Sequence, residues 1–381
     1  MLAIGLMSGT SLDGVDAALV EINKKEDVSF KLINYILLPY EKSFKEKIMK
    51  NLSDDTAKLS EVCSLNFELS YKFVEAIDKV LENTPYKYDD IEFVASHGQT
   101  IWHNPKESFN KDGAKIVPST LQIGDGSVIS ALTNIKTICN FRTADVACGG
   151  EGAPLVPMSE FIMFKKESKN VVLQNIGGIG NLTILKKGCK IDDVIAFDTG
   201  PGNAMIDYFV NKYFGLPYDN GGSIALEGDV IVGILDKLMD DEYLTKEPPK
   251  STGREKYSKE ALEKLASDLE FDNYDKKDII TTITEYTVST IIYAYDNFIK
   301  NIDEVIIGGG GSHNKYIIGR LKNYYGDSVV FTQDEFGYSS DAKEAIAFVV
   351  LGYLSLNGKA GNVPSATGAK RGVVLGNITL V

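Results

Sequence analysis

The chain is short of the residues that usually announce chemistry. Its 381 residues include one tryptophan, three histidines and four cysteines. The cysteines, Cys63, Cys139, Cys148 and Cys189, form no C-x-x-C pair, so they read as reduced thiols. Positive charge is also scarce: 40 Lys and Arg stand against 53 Asp and Glu, a formal net charge of −13. That balance argues against a nucleic-acid footprint and against an anionic membrane surface. No apolar run approaches the length that spans a bilayer. The opening MLAIGLMSGTS has no basic n-region and only a brief apolar stretch, which is not the pattern of a secretory signal. A cytoplasmic protein is expected. Standard nucleotide and hydrolase motifs are missing as well. Gly177-Gly178-Ile179-Gly180 lacks the G-x-G-x-x-G spacing and precedes a strand pattern. Gly352…Gly358-Lys359-Ala360 has five intervening residues and no Ser or Thr after the lysine, so it is not a P-loop. No G-x-S-x-G elbow occurs.

What is present is a pair of similar segments almost half a chain apart. The first, Leu2–Glu21, runs from an apolar strand pattern through a Gly/Ser/Thr/Asp turn into a second apolar run. The second, Val171–Leu185, does the same through Gly177–Asn181, and VIAFDTGPGN follows at Val194–Asn203. Turns of this kind can point backbone N–H groups at phosphate oxygens. Two of them facing each other would hold a polyphosphate, as in a two-domain ATP-dependent phosphotransferase. The length supports two domains, and the composition (44% apolar, 24% charged) is that of an ordinary globular protein. In the first half, strands are expected at Leu2–Ser8, Val15–Ile22, Phe30–Pro39 and Ile91–Ser96, with a helix at Leu59–Leu81. A short strand and turn are expected at Leu121–Ser130. The second half repeats the strand–turn–strand start and adds helices at Asn203–Phe214, Ser258–Leu269, Ile279–Lys300, Asn314–Tyr325 and Asp341–Leu356. Lys246–Gly253, KEPPKSTG, reads as the clearest flexible loop.

Four clusters carry candidate chemistry. Gly9-Thr10-Ser11-Leu12-Asp13-Gly14-Val15-Asp16 combines glycines, hydroxyls and carboxylates. Glycines allow close approach to phosphate, and a carboxylate such as Asp13 suits Mg²⁺, which takes few protein ligands. A plain Asp-Gly hairpin turn is the alternative. Asp198 follows an apolar strand pattern, at the edge where α/β proteins bind ligands, and Thr199-Gly200-Pro201-Gly202-Asn203 then opens a helix whose N-terminus favours anions. The alternative is a helix N-cap. Gly308-Gly309-Gly310-Gly311-Ser312-His313-Asn314 leaves room for a flat ligand such as adenine, or is a loose connection. His97-Gly98-Gln99-Thr100-Ile101-Trp102-His103 follows a strand pattern. Its two histidines lack a third ligand and make a poor metal site, and Trp102 is either a platform for a sugar ring or core.

Taken together, SGTSLDGVDAAL, ASHGQTIWHNP, LQIGDG, EGAPLVP, NIGGIGNLT, FDTGPGN and KEAIAF, in this order, resemble the 1,6-anhydro-N-acetylmuramic acid kinase family. The resemblance extends to the tail GNVPSATGAKRGVVLG. It implies an α/β, two-domain actin-like ATPase fold, shared with sugar kinases, Hsp70 and actin, with a central inter-domain cleft. Domain I is expected to hold residues 1–135 and 365–381, and domain II residues 136–364. The implied reaction opens the 1,6-anhydro bridge with water and moves the ATP γ-phosphoryl group to O6, giving N-acetylmuramic acid 6-phosphate in cell-wall recycling. ATP and Mg²⁺ are the implied cofactors. The implied partners are a small anhydro amino sugar and at most a second copy of the chain in a homodimer. Asp198 matches the catalytic base. Gly9 to Asp16 would bind the ATP phosphates, with Gly177, Gly178 and Asn181 from the second turn and Gly309, Gly310 and Asn314 on the adenine side. His97, Gln99, Asp125, Gly200, Asn203 and Glu344 are the expected sugar contacts. The rival readings are a kinase of another sugar on the same fold and a nucleotide-dependent binding module of the actin or Hsp70 type without a small-molecule substrate.

Overall fold

The computed structural model describes residues 1–9, 11–24, 28–248, 250–252, 254–336 and 341–380. The chain divides into two compact α/β units, Met1–Met163 with Gly337–Val381, and Phe164–Phe336. This α/β, two-unit organisation is the expected fold class.

The first unit is built on a mixed sheet. Strands β1 (Leu2–Ser8), β2 (Gly14–Lys24) and β3 (Val28–Pro39) form an antiparallel meander. β4 (Ile91–Asn104) joins β1 in parallel. β5 (Ser108–Phe109) and β6 (Lys115–Ile116) make a small separate hairpin. β7 (Ser119–Ile123) pairs with the far part of β4, β8 (Thr137–Cys139) runs parallel to β4, and the C-terminal strand Asn377–Thr379 closes that edge. Helices α1 (Lys42–Lys50), α2 (Leu59–Leu81), α3 (Gly126–Thr133), α4 (Thr143–Ala147) and α5 (Val156–Phe164) follow in chain order. The pleat of β1 decides which helix lies on which face. Ile4 and Leu6 enter one core cluster with Leu65, Leu69, Phe73 and Ile77 of α2. Gly5 points the other way, where a Cβ would stand 1.9 Å from the Ala345 carbonyl oxygen of the helix Lys343–Leu356. That helix packs directly on β1 and is buried over most of its length.

The second unit repeats the plan. β9 (Val171–Ile176), β10 (Gly180–Leu185) and β11 (Ile195–Gly200) form an antiparallel meander, β12 (Glu304–Gly308) joins β9 in parallel, and β13 (Val330–Thr332) extends the sheet beyond β12. The order β11-β10-β9-β12-β13 therefore matches β3-β2-β1-β4-β8 of the first unit. Around it lie α6 (Ala204–Phe214), α7 (Val232–Met239), α8 (Glu242–Thr245), α9 (Lys259–Asp268), α10 (Lys276–Phe298) and α11 (Lys315–Tyr325). A single large cluster including Phe209, Phe271, Ile283, Tyr295, Val305 and Leu321 forms the core.

Three expectations change. Residues 136–163 and 337–364 belong to the first unit rather than the second, because β8 is a member of the first sheet and the helix Lys343–Leu356 covers it. β4 does not stop at Ser96 but continues through Asn104, exchanging its parallel partner β1 for antiparallel β7. Gly98, with φ +77, sits at the exchange, a conformation glycine adopts freely. Leu121–Ser130 becomes a strand end followed by α3, whose N-cap is Asp125. Among the described residues no helix is long and apolar enough to cross a membrane.

Candidate functional site

In the first unit the functional groups collect where β1, β2 and the helix Lys343–Leu356 begin or end. Within the first turn Leu12 and Val15 are core residues, so the pattern of that loop is partly a packing pattern. Ser11 and Asp13 are exposed, and Thr10 lies outside the described residues. Asp13 pairs with Lys45 at 3.2 Å on the surface. Asp16 differs. It stands on β2, partly buried, and its Oδ1 accepts from Tyr35 Oη at 2.5 Å. Burial pushes its carboxyl up to about 6, the Tyr35 hydrogen bond opposes this, and the charges of Glu344, Asp341 and Asp13 add to the rise. Glu344, in the first turn of its helix, is exposed. Its charge acts on Asp16 and on Arg142 alike. These groups set carboxylate charge with one guanidinium beside it, acceptors and a donor of the kind that sugar hydroxyls engage.

The sequence motif around His97 folds differently from expectation. His97 is 4% exposed. Its Nδ1 donates to the Gly98 carbonyl at 2.8 Å, and its Nε2 accepts from Arg142 Nε at 3.0 Å. The guanidinium can only donate, which assigns the tautomer. Burial and the Arg142 charge push the imidazole down to about 3, so it stays neutral and leaves no ring nitrogen for a ligand. Gln99, 1% exposed, accepts from Ser8 Oγ at 2.6 Å and so ties β4 to the end of β1. Asp125 caps α3 through the Ser127 N–H at 2.7 Å. His97 and Gln99 are thus buried and bonded internally, and Asp125, half-buried, serves as a helix N-cap. Arg142, which carried no signal in the sequence, is a cation of this region that feels the Glu344 charge. Besides His97 it holds the Gly152 carbonyl at 2.6 Å.

In the second unit the turn Gly177–Gly180 folds onto the start of α6. Asn203 and Ala204 donate their N–H groups to the Gly177 and Gly178 carbonyls at 2.8 and 3.0 Å. The Asn203 amide also donates to Ile176 O at 3.0 Å. Asn181 pairs with Asp198 in the β10–β11 register. Gly200 packs on Thr290, whose Oγ1 would lie 2.8 Å from an added Cβ. The four-glycine run is explained mostly by packing. A Cβ on Gly308, Gly309 or Gly311 would meet Gln333, Asn175 or Ile176 at 2.6, 2.7 and 2.3 Å respectively, whereas Gly310 has only Asn203 Nδ2 at 3.7 Å. Gly310 is therefore the member of the run with room for a ligand. It borders a cavity of about 420 Å³ with Asn203, Asp207, Tyr218, His313 and Asn314. Asn314 also caps α11 through the Tyr316 and Ile317 N–H groups. The Asp207 carboxylate has no hydrogen-bond partner among the described residues. Burial, assisted by the Asp219 charge, pushes it up to about 6.

Asp198 lies within β11 rather than after it. β11 is the edge of its sheet, and residues 250–252 lie along the free side. The Asp198 N–H donates to Lys250 O at 3.1 Å, its carbonyl accepts from Tyr243 Oη at 2.9 Å, and its Oδ2 accepts from the Thr252 N–H at 2.8 Å. Oδ1 has no partner among the described residues. Burial raises the carboxyl above the usual range, against the Thr252 hydrogen bond. A partly buried carboxylate with one oxygen fixed and the other open is suited to taking a proton from water.

Comparison with known proteins covers the whole chain. The family model described as anhydro-N-acetylmuramic acid kinase matches residues 1–381. The chain is 48% identical over 383 residues to the anhydro-N-acetylmuramic acid kinase of Clostridioides difficile (strain 630), covering 100% of this chain and 98% of that protein. It is 45% identical over 385 residues to the enzyme of the same name from Bacillus cereus (strain Q1), covering 100% and 99%. Among solved structures, a ROK family glucokinase from Streptomyces griseus in complex with glucose and AMPPNP aligns at 10% identity and a TM-score of 0.41, over 92% of this chain and 99% of that one.

Proposed function

The chain belongs to the anhydro-N-acetylmuramic acid kinase family, and on that footing we propose that it opens the 1,6-anhydro bridge of 1,6-anhydro-N-acetylmuramic acid while phosphorylating O6. It is a phosphotransferase with an alcohol acceptor, and its phosphoryl donor is ATP. The observation that carries the reading is the open oxygen of Asp198. Asp198 Oδ1 accepts a proton from water as the water oxygen bonds to the anomeric carbon. The C1–O6 bond breaks, its electron pair stays on O6, and O6 takes the γ-phosphoryl group as the bond to the β-phosphate oxygen breaks. The products are N-acetylmuramic acid 6-phosphate and ADP. General-base assistance of this kind is worth roughly 10²–10⁴-fold.

Glu344 and Arg142 supply an acceptor and a donor for sugar substituents. Each unit taken by itself offers one turn for ATP phosphates: the backbone of Gly9 and Ser11 in the first, and that of Gly177 and Gly178 in the second. Mg²⁺ fits Asp16 better than Asp13. Asp13 already answers Lys45, whereas Asp16 Oδ2 has no hydrogen-bond or ion-pair partner among the described residues. Bound there, the ion would neutralise phosphate charge, the main electrostatic need of phosphoryl transfer.

The decisive product experiment is mass analysis after incubation with ATP and the anhydro sugar. Gain of one phosphoryl group together with one water supports the reading. Gain of the phosphoryl group alone would assign an ordinary sugar kinase, and ADP release indifferent to the sugar would assign a nucleotide-driven binding module.

The cavity beside Gly310 is assigned to the nucleoside of ATP, with the unpartnered Asp207 accepting from a hydroxyl or amine of the ligand. A hydrogen bond to a charged group contributes about 1.5–3 kcal/mol. Asp207→Ala is therefore expected to raise KM for ATP roughly 10- to 100-fold with little change in kcat, the signature of lost uniform binding. The carboxylate form accepts, so in the parent protein KM for ATP should climb as pH falls through about 6, and the variant should lose that dependence. Steady-state kinetics between pH 5 and 8 tests both.

A further inference from the structure

The segment Lys246–Gly253 reads as a flexible loop; Pro249 and Gly253 lie outside the described residues, and Lys250 and Thr252 are fastened beside Asp198 through that lysine. The Lys250 ammonium lies over three aromatic rings from three elements: Phe298 at the end of α10 (4.5 Å to the ring centroid), Tyr243 of α8 (5.0 Å) and Phe197 of β11 (5.8 Å). It also donates to the carbonyls of Leu244 and Tyr243 at 2.8 and 3.3 Å, in the last turn of α8. The main chain at this anchor and just after it engages Asp198. Lys250 O accepts the Asp198 N–H, and two residues on, the Thr252 N–H holds Asp198 Oδ2. Tyr243, a wall of the lysine's cage, donates to the Asp198 carbonyl.

We propose that Lys250 is a positioning residue: its ammonium, clasped by Phe197, Tyr243 and Phe298, holds the Thr252 N–H on Asp198 Oδ2 and so keeps Oδ1 aimed for proton abstraction. The physical case has two parts. A cation seated over several rings in a partly desolvated site is held more firmly than an exposed one, and an apolar side chain there would leave the Leu244 carbonyl without this donor, while Tyr243 O would keep only the Lys246 N–H. Residues 250–252 lie in no helix or strand that could place a single N–H group, so a side-chain anchor does it. The inference rests on Asp198 being the base. It adds a device that holds the base in orientation and sets the pH at which it works.

The effect on Asp198 has a definite sign. The Thr252 N–H favours the carboxylate. Displacing the Thr252 N–H while Asp198 stays buried on β11 removes the opposing hydrogen bond, raises the Asp198 pKa further and moves the acid limb of kcat to higher pH. Among the described residues, the titratable groups that feel the Asp198 charge are Tyr243 and Tyr257, both held protonated by burial, so the limb is assigned to Asp198.

The test compares Lys250→Met, Lys250→Arg and Asp198→Asn by ADP release with the anhydro sugar from pH 5 to 9, with thermal midpoints to confirm folding. Lys250→Met should lower kcat about 10- to 100-fold, as expected for a small misplacement of a catalytic group. It should shift the acid limb upward and leave KM for ATP unchanged. Lys250→Arg, which keeps the cation over the rings, should restore most of kcat and the original limb. Wild-type kcat and limb in Lys250→Met overturn the proposal. So does a loss of kcat with an unmoved limb, or one that arginine does not repair, because either would mean a merely structural lysine. If Asp198→Asn keeps its turnover, the assignment of the base fails first and the proposal falls with it. If Asp198→Asn is inactive while Lys250→Met is normal, only the proposal falls.

Discussion

Asp198→Asn is expected to lose turnover by roughly 10²–10⁴-fold while binding ATP as the parent does. Asparagine has nearly the same shape as aspartate. Its amide oxygen can still accept from Thr252 N–H at the 2.8 Å position, and the main-chain bonds to Lys250 and Tyr243 do not involve the side chain. The change therefore removes basicity without removing the fold around it. What the variant cannot do is hold a proton taken from water, so kcat falls and KM for ATP stays. The same argument sets the pH profile of the parent. Burial raises the Asp198 carboxyl. A base must be unprotonated, so kcat should be complete above its pKa and fall as pH drops through it, with a midpoint above that of an ordinary carboxylate. ADP release driven by the anhydro sugar, together with nucleotide binding by calorimetry, separates the two quantities. Turnover within tenfold of the parent would remove Asp198 from the role of base.

How much of this could be read from the sequence depended on how local the signal was. The two β–turn–β starts, the helix Leu59–Leu81 and the strand entering Asp198 were legible because apolar periodicity and turn residues act over a few positions. The repeat seen in their order proved to be a repeat of sheet topology, β3-β2-β1-β4-β8 against β11-β10-β9-β12-β13. The unit boundary was not legible, because whether β8 joins β4 or another strand is decided by non-local pairing. Gly308, Gly309 and Gly311 looked like a cradle for a ligand and are packed against Gln333, Asn175 and Ile176. A close internal contact and a close ligand contact leave the same mark on a sequence. Arg142 and Lys250 left none. Each is one cation among 40, and its meaning lies in partners at the far end of a fold: His97 for the first, a cage of Phe197, Tyr243 and Phe298 for the second.

Asp145 is the extreme case of such a residue, and its replacement should have the largest effect on stability. It is 0% exposed, on the short helix α4. Its Oδ2 accepts from Gly152 N–H at 2.7 Å, and its Oδ1 accepts from Asn362 Nδ2 at 2.7 Å and Thr367 Oγ1 at 2.8 Å. One carboxylate thus joins α4, the Gly149–Gly152 loop and the C-terminal segment that carries the motif GNVPSATGA. That motif was recognisable only by resemblance, and this knot is its physical content. All three partners are donors, so alanine at 145 would leave the Gly152 N–H and the Thr367 hydroxyl without an acceptor and Asn362 Nδ2 with Arg371 O alone. Each orphaned group costs about 1–3 kcal/mol. With partial relaxation, Asp145→Ala should lower the unfolding free energy by roughly 3–5 kcal/mol. Asparagine is the sharper test, because it keeps the volume but turns an NH₂ group toward at least one of these donors. It should recover only part of the loss. Urea unfolding of the two variants, followed by far-UV circular dichroism, measures this. A drop below about 1 kcal/mol for alanine would mean that water reaches the donors and that Asp145 is not the tie that holds the loop. Because Gly152 O is also held by Arg142, loosening the knot should weaken sugar binding as well. KM for the anhydro sugar should rise in Asp145→Asn at temperatures where the variant is still folded.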